Sequence, residues 1–167
     1  GTKLADPVRV VASSIAGVAW VDRNSDGVRQ STEPLLPNVK VSLYRDGDMS
    51  QPFRALPTDG NGAYRFTQLH SSDYQVIFDI DDLKAMGYKL TDRKVGSDET
   101  IDSDANVDTG VVDELALPRS TDVENLDAGV IPIGLTTSID ANASLTRTFA
   151  WDIEKSASNA DSLVVDP

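Results

Sequence analysis

The chain has no cysteine, one histidine, two methionines and few aromatic residues, which make up 6% of its 167 positions. Without cysteine there can be no disulfide, no thiolate zinc site and no cysteine nucleophile. The lone histidine, His70, sits in Gln68-Leu-His-Ser-Ser-Asp73, which reads as a turn between strands. Nothing nearby marks a serine as an activated nucleophile, so an enzyme is not expected. No apolar run approaches the ~20 residues of a membrane-spanning helix, and Gly1-Thr-Lys3 does not resemble a signal peptide. The chain therefore reads as an excised piece of a longer protein, with no membrane insertion in this piece. Basic residues are also scarce: 15 Lys and Arg face 27 Asp and Glu, for a net charge of −12. Such a surface repels phosphate, which argues against nucleic acid as a partner. A soluble acidic protein and a binder of several cations share this charge, and composition alone does not separate them.

What the chain has in abundance is carboxylate in patterned positions. From Asp22 the sequence Asp-Arg-Asn-Ser-Asp-Gly-Val-Arg-Gln-Ser-Thr-Glu33 reads D-x-N-x-D-G-x5-E, the ligand pattern of a twelve-residue calcium loop. Asp22, Asn24 and Asp26 offer side-chain oxygens at positions one, three and five. Gly27 permits the sharp turn at position six, and Val28 offers its carbonyl at position seven. Gln30 stands where a water-mediated contact is usual, and Glu33 at position twelve can close the shell with two oxygens. A solvated turn rich in Asp and Asn is the plainer alternative, but every fixed position of the pattern is filled.

The flanks exclude an EF-hand. Ser14–Val21 is rich in β-branched and aromatic residues, and Pro34 and Pro37 oppose an exiting helix. A dockerin is excluded too, since its loop should occur twice and on helices. The loop hangs between strands. Further strands are expected at Val39–Arg45, Pro52–Pro57, Ala63–Thr67, Tyr74–Ile80, Tyr88–Arg93, Val111–Leu117 and Asn125–Ile133. Several of them alternate apolar with polar residues. One or two helical turns are expected at Asp81–Gly87, capped by Asp81 and stopped by Gly87. Short strands at this spacing, separated by turns such as Thr58-Asp-Gly-Asn-Gly62, describe an all-β sandwich.

The expected organisation is a lead or edge strand at 1–13, a sandwich at 14–133 and a linker at 134–143. The start of a following β module, or a docking strand, would occupy 144–167, with Leu145, Phe149, Trp151 and Ile153 on one face. A second acidic stretch lies within the sandwich. Between Asp92 and Asp127 stand eleven carboxylates, balanced only by Arg93, Lys94 and Arg119. Packed together without counter-ions they would repel one another or titrate upward. A second metal site and a solvated loop both relieve that strain, and spacing alone does not choose between them.

These motifs carry a family resemblance. Trp20-Val-Asp-Arg-Asn-Ser-Asp-Gly27, Glu33-Pro34 and Asn38-Val-Lys-Val-Ser-Leu43 resemble the B-type repeats of Gram-positive serine–aspartate repeat adhesins. Thr58–Leu69 followed by Tyr74-Gln-Val76 is similar to that family's central signature. Gly96-Ser-Asp98, Asp102-Ser-Asp104 and Leu126-Asp-Ala-Gly129 fit its acidic loop and last strand. The resemblance runs in order from about Ser14 to Pro132. It implies an Ig-like or prealbumin-like sandwich with calcium-binding loops and several Ca2+ ions. It also implies an extracellular spacer at a bacterial cell wall that holds a ligand-binding region away from the surface. Its partners would be neighbouring domains of the same chain, with any host or cell-surface ligand met through other domains. Asp22, Asn24, Asp26, Val28 and Glu33 match the family's first site. Asp98, Asp102, Asp104 and Asp127 match its other acidic positions, without assignment to individual ions.

Two other readings are open. An accessory carbohydrate- or protein-binding module would use exposed aromatics such as Trp20, Tyr44 or Tyr88, although alternation places each more naturally in the core. A pilin-like domain with a Lys–Asn isopeptide staple would draw on Lys40, Lys89 or Lys155 with Asn125 or Asn159, but no convincing motif supports it. Leu117-Pro-Arg-Ser-Thr121 superficially resembles a sortase signal but lacks the threonine–glycine pair in place and is followed by neither an apolar span nor a basic tail.

Overall fold

In the computed structural model residues 12–134 are described. The lead before residue 12, the linker and the strand expected after residue 143, with Lys155 and Asn159, lie outside the described residues.

The alternating segments become strands in the order expected. They are β1 (Ser13–Val21), β2 (Lys40–Arg45), β3 (Arg54–Pro57), β4 (Ala63–Leu69) and β5 (Ser72–Phe78). A short helix α1 (Ile80–Ala85) follows, then β6 (Tyr88–Leu90), β7 (Leu115–Leu117), β8 (Asp122–Val123) and β9 (Ala128–Pro132). One sheet runs β4-β1-β9-β6, with β8 also on β1; the other runs β3-β2-β5-β7. β1 is antiparallel to β4 but parallel to β8 and β9. The inward residues of both sheets form one core, in which Ile15, Ala19, Val41, Leu43, Tyr64, Phe66, Val76, Phe78 and Val130 are buried. Tyr64 makes edge contacts with Phe66 and Phe78 at 5.7 Å. Together these features make an all-β sandwich.

The helix differs from its expected bounds by one cap. Asp79, not Asp81, is the N-cap: its carboxylate accepts the N–H groups of Asp81 and Asp82, and its backbone is extended. Asp81 and Asp82 sit in the first turn, where the helix dipole favours acids. The strand expected at Val111–Leu117 is regular only at its end, Val111 making an isolated bridge to Ile77. β8 carries no alternation long enough to announce it. Asn125, expected in a strand, has φ 61° and belongs to the turn before β9.

β1 is more deeply buried than one-sided alternation implies, since eight of its nine residues are buried. Its outward residue Trp20 is wholly buried but is not part of the inter-sheet core. It pairs with Gly129 of β9 and forms an isolated bridge to Leu35. Loops must therefore cover the outer side of this strand. Those loops carry the acidic motifs.

Candidate metal centre

The Asp22 loop begins where β1 ends and returns to the same place. Val21 donates its N–H to Pro34 O at 2.8 Å, and Leu36 donates to Ala19 O at 2.8 Å. Within this clasp the carboxylates hold the backbone. Asp22, fully buried, accepts the N–H of Asp26 at 3.2 Å on Oδ1 and that of Gly27 at 2.9 Å on Oδ2. Asn24 Oδ1 accepts from Asp26 N at 3.3 Å, and Asp26 Oδ1 accepts from Val28 N at 2.9 Å. These are successive Asx turns, the local preference of Asp and Asn, and they wind the loop tightly. Glu33 closes it, accepting from Arg23 N at 2.8 Å and Gln30 N at 3.1 Å. Gly27 is required twice over: its φ is +75°, and a Cβ there would lie 2.7 Å from Val95 Cγ2 and 2.9 Å from Asp92 O.

Those last contacts come from the second acidic stretch, which packs against the loop. Thr91 Oγ1 donates to Asp22 Oδ2 at 2.6 Å, Arg29 N donates to Ile101 O at 2.7 Å, and Val28 bridges Asp102. Sequence reasoning missed Thr91. Sixty-nine residues separate it from Asp22, and no local pattern links the two.

The eleven carboxylates of that stretch divide by burial. Asp113 pairs with Arg93 at 2.9 Å and with Lys94, and Glu124 pairs with Arg65 at 2.6 Å. Asp98 is exposed and turned onto Thr100, accepting from its N–H at 3.0 Å and its hydroxyl at 2.6 Å, which hold the acid below the usual carboxylate range. Asp102 and Asp127 are buried, at 4% and 2% exposure, and Asp104 is half-buried. Asp104 N donates to Asp127 O, and Asp127 N donates to Asp104 Oδ2, both at 2.8 Å. Asp127 Oδ1 accepts from Val18 N at 2.8 Å, filling a gap in the β1–β9 ladder. Gly17 makes room for this, since a Cβ there would lie 2.1 Å from Leu126 O and 2.9 Å from Asp127 Oδ1.

Burial pushes Asp104 and Asp127 each up to about 6, the N–H groups of Asp127 and Val18 respectively drawing them partly back. Burial raises Asp102 as well. The three carboxylates repel one another. Two of their oxygens, Asp102 Oδ1 and Asp127 Oδ2, are buried with no hydrogen-bond partner. Leaving such a group unsatisfied costs on the order of 1–3 kcal/mol or more.

Among the described residues no three acidic or histidine side chains converge as ready-made ligands. The first loop spends its carboxylates on its own N–H groups, and Asp98 stands outside the buried trio. Donor chemistry nonetheless fits a hard divalent cation: all donors are oxygens, two are buried without a hydrogen bond, and acids far outnumber bases. The residues that would hold such an ion are Asp102, Asp104 and Asp127, with the Asp22 loop packed beside Asp102 through Val28.

Comparison with known proteins agrees with the motif order. Residues 13–130 match the family model described as the SdrD B-like domain. The chain belongs to that family. It is 32% identical over 117 residues to serine-aspartate repeat-containing protein F of Staphylococcus epidermidis, covering 70% of this chain and 6% of the relative. It is 31% identical over 116 residues to serine-aspartate repeat-containing protein D of Staphylococcus aureus strain Newman, covering 70% of this chain and 8% of the relative. The chain thus spans less than a tenth of either relative's length. A streptococcal ancillary pilin aligns with 75% of this chain and 34% of its own at TM-score 0.45 and 15% identity, a likeness too low to carry an argument.

Within the SdrD B-like family this chain is a structural, non-enzymatic module. Of the three aromatics a stacking platform would draw on, Trp20 is wholly buried, while Tyr44 and Tyr88 are half-buried. Lys40 is held by Asp79 at 2.8 Å instead of by an asparagine. No helix among the described residues is long and apolar enough to cross a membrane.

Proposed function

We propose that this SdrD B-like module is a calcium-stabilised spacer of a bacterial cell-surface adhesin. In this reading it stands outside the cell at the wall, between neighbouring domains of the same chain, and helps to project a ligand-binding region. The observation that carries the reading is the pair of buried oxygens on Asp102 and Asp127 that accept no hydrogen bond, beside a loop with the calcium pattern. A sandwich without cysteine has no covalent staple of the disulfide kind. Ions bridging the two acidic segments would supply a non-covalent staple instead, tying β1 to the turn before β9. Each ion would also offset two units of the −12 charge.

Ions that bind only the folded state add RT ln(1 + [Ca]/Kd). With Kd of ~0.1–1 mM, typical of extracellular modules, millimolar calcium contributes ~0.4–1.4 kcal/mol per site. Two sites then correspond to a rise on the order of 5–10 °C in melting temperature. Thermal melts in 1 mM calcium and in excess EGTA test this, with limited proteolysis in parallel. The expected result is a lower melting temperature and faster cleavage in EGTA. Superimposable curves would remove calcium from the account.

A further inference from the structure

Arg29 is the residue the calcium pattern does not explain. Position eight of the loop has no ligand role, yet its side chain turns inward toward the acidic trio. Nη2 lies 3.6 Å from Asp127 Oδ2, and 3.5 Å from Thr100 O. Both contacts are long, and Nε is buried with no partner. A guanidinium carries five N–H donors in a fixed fork, and this one is poorly satisfied. Asp127 is equally poorly matched, because its Oδ2 has a cation nearby but no hydrogen bond. Arg29 also has somewhere else to go. It lines, with Asp127, Asn125 and the exposed Glu124, an open groove of about 450 Å³.

We propose that Arg29 is a built-in counter-ion of the ion-free molecule, which competes with a divalent cation for Asp127 and so sets the affinity of the acidic trio. The inference rests on the calcium reading above. A cation drawing on Asp127 Oδ2 would face a guanidinium within a few ångströms, and like charges that close repel. Loading therefore requires Arg29 to release Asp127 and swing into the groove. Because Arg29 N remains bonded to Ile101 O, the backbone clasp between the two acidic segments survives that movement. A purely structural role for Arg29, gluing two loops together, predicts the opposite sign, since removing glue weakens a site built from both loops.

The test is calorimetric titration of calcium into the chelator-stripped full chain, comparing wild type, Arg29→Gln and Arg29→Lys. Arg29→Gln is expected to bind the ion of the acidic trio roughly fivefold more tightly, the loss of a competing pair of ordinary strength. Arg29→Lys keeps the charge without the fork and should fall between the two; it also decides the matter if the glutamine variant does not fold. In an Asp102→Asn background, where the trio is disabled, Arg29→Gln should change no remaining affinity. Binding by Arg29→Gln that is unchanged or weaker overturns the inference, as does a gain that persists with Asp102→Asn. If the wild type binds no calcium, the calcium reading itself fails and takes this inference with it. Binding by the wild type with no effect at Arg29 sinks the inference alone.

Discussion

Asp22→Ala is expected to cost about 3–5 kcal/mol even in excess chelator, from the desolvation of groups that lose their acceptor. Asp22 is wholly buried and serves three donors: the N–H groups of Asp26 and Gly27, and the hydroxyl of Thr91. The last two bonds are buried, so water cannot readily replace the carboxylate. Each abandoned donor costs on the order of 1–3 kcal/mol, and the chain as a whole has only ~5–15 kcal/mol to lose. Asn24→Ala is the matched control. Asn24 is exposed; it accepts from Asp26 N at 3.3 Å and donates to Asp26 Oδ2 at 2.7 Å, both bonds face solvent, and their loss should cost below ~1 kcal/mol. Urea midpoints of the two variants in EGTA measure the contrast directly. An Asp22→Ala variant as stable as Asn24→Ala would mean that the loop is not organised by its first carboxylate.

The second large effect is a stability profile against pH that calcium flattens. Asp104 and Asp127 titrate near 6 in the folded chain, against ~3.9 when unfolded. The folded state therefore binds their protons more tightly. Their contribution is complete below about pH 4 and is lost as pH rises through about 6. Two pKa units each would give ~5 kcal/mol for the pair. Asp104 is only half-buried, so solvent screening reduces this to about 2–3 kcal/mol. The charges facing the pair are Arg29 and Lys94, which pull downward, and Asp102, which pushes upward. The buried Tyr64 ring lies in the same field, and desolvation with these two acids keeps its hydroxyl protonated.

In EGTA the chain should therefore gain stability from pH 7.5 down to about 5. Below about 4 it should lose stability again, because Asp79, Asp98 and Asp113 titrate below the usual range. Asp79 is held low by Lys40, Asp98 by Thr100 and Asp113 by Lys94. In millimolar calcium the gain between pH 7.5 and 5 should flatten, since protons then displace a bound ion worth ~0.4–1.4 kcal/mol. Melting temperatures across that range, with and without EGTA, give both curves. Parallel curves would show that the buried acids and the ions have nothing to do with one another.

How much of this was legible in the sequence varies by element. The long strands were readable because alternation in Val39–Arg45 and Tyr74–Ile80 has only one physical use, a half-buried pleated surface. The Asp22 loop was readable because calcium ligation fixes residue types at fixed spacings. Local rules failed where the partner was distant. Arg29 meets Asp127 across ninety-eight positions and Thr91 meets Asp22 across sixty-nine, so neither pairing leaves a local trace. Trp20 illustrates the same limit. Alternation marked it as core or as exposed ligand platform, and the outcome was a third: buried beneath loops on the outer side of its own sheet. The helix cap shifted from Asp81 to Asp79 because three acids within four residues could each have served. The choice fell to Asp79, which can also pair with Lys40. Asp98 and Asp102 looked equivalent as charges in one run. The fold separates them, burying one and leaving the other in water.

The most direct measurement is native mass spectrometry of the intact chain after dialysis against millimolar calcium. The account predicts at least two bound ions that EGTA removes, with one lost selectively in Asp102→Asn. A mass equal to that of the bare polypeptide, under conditions that preserve the fold, would contradict it.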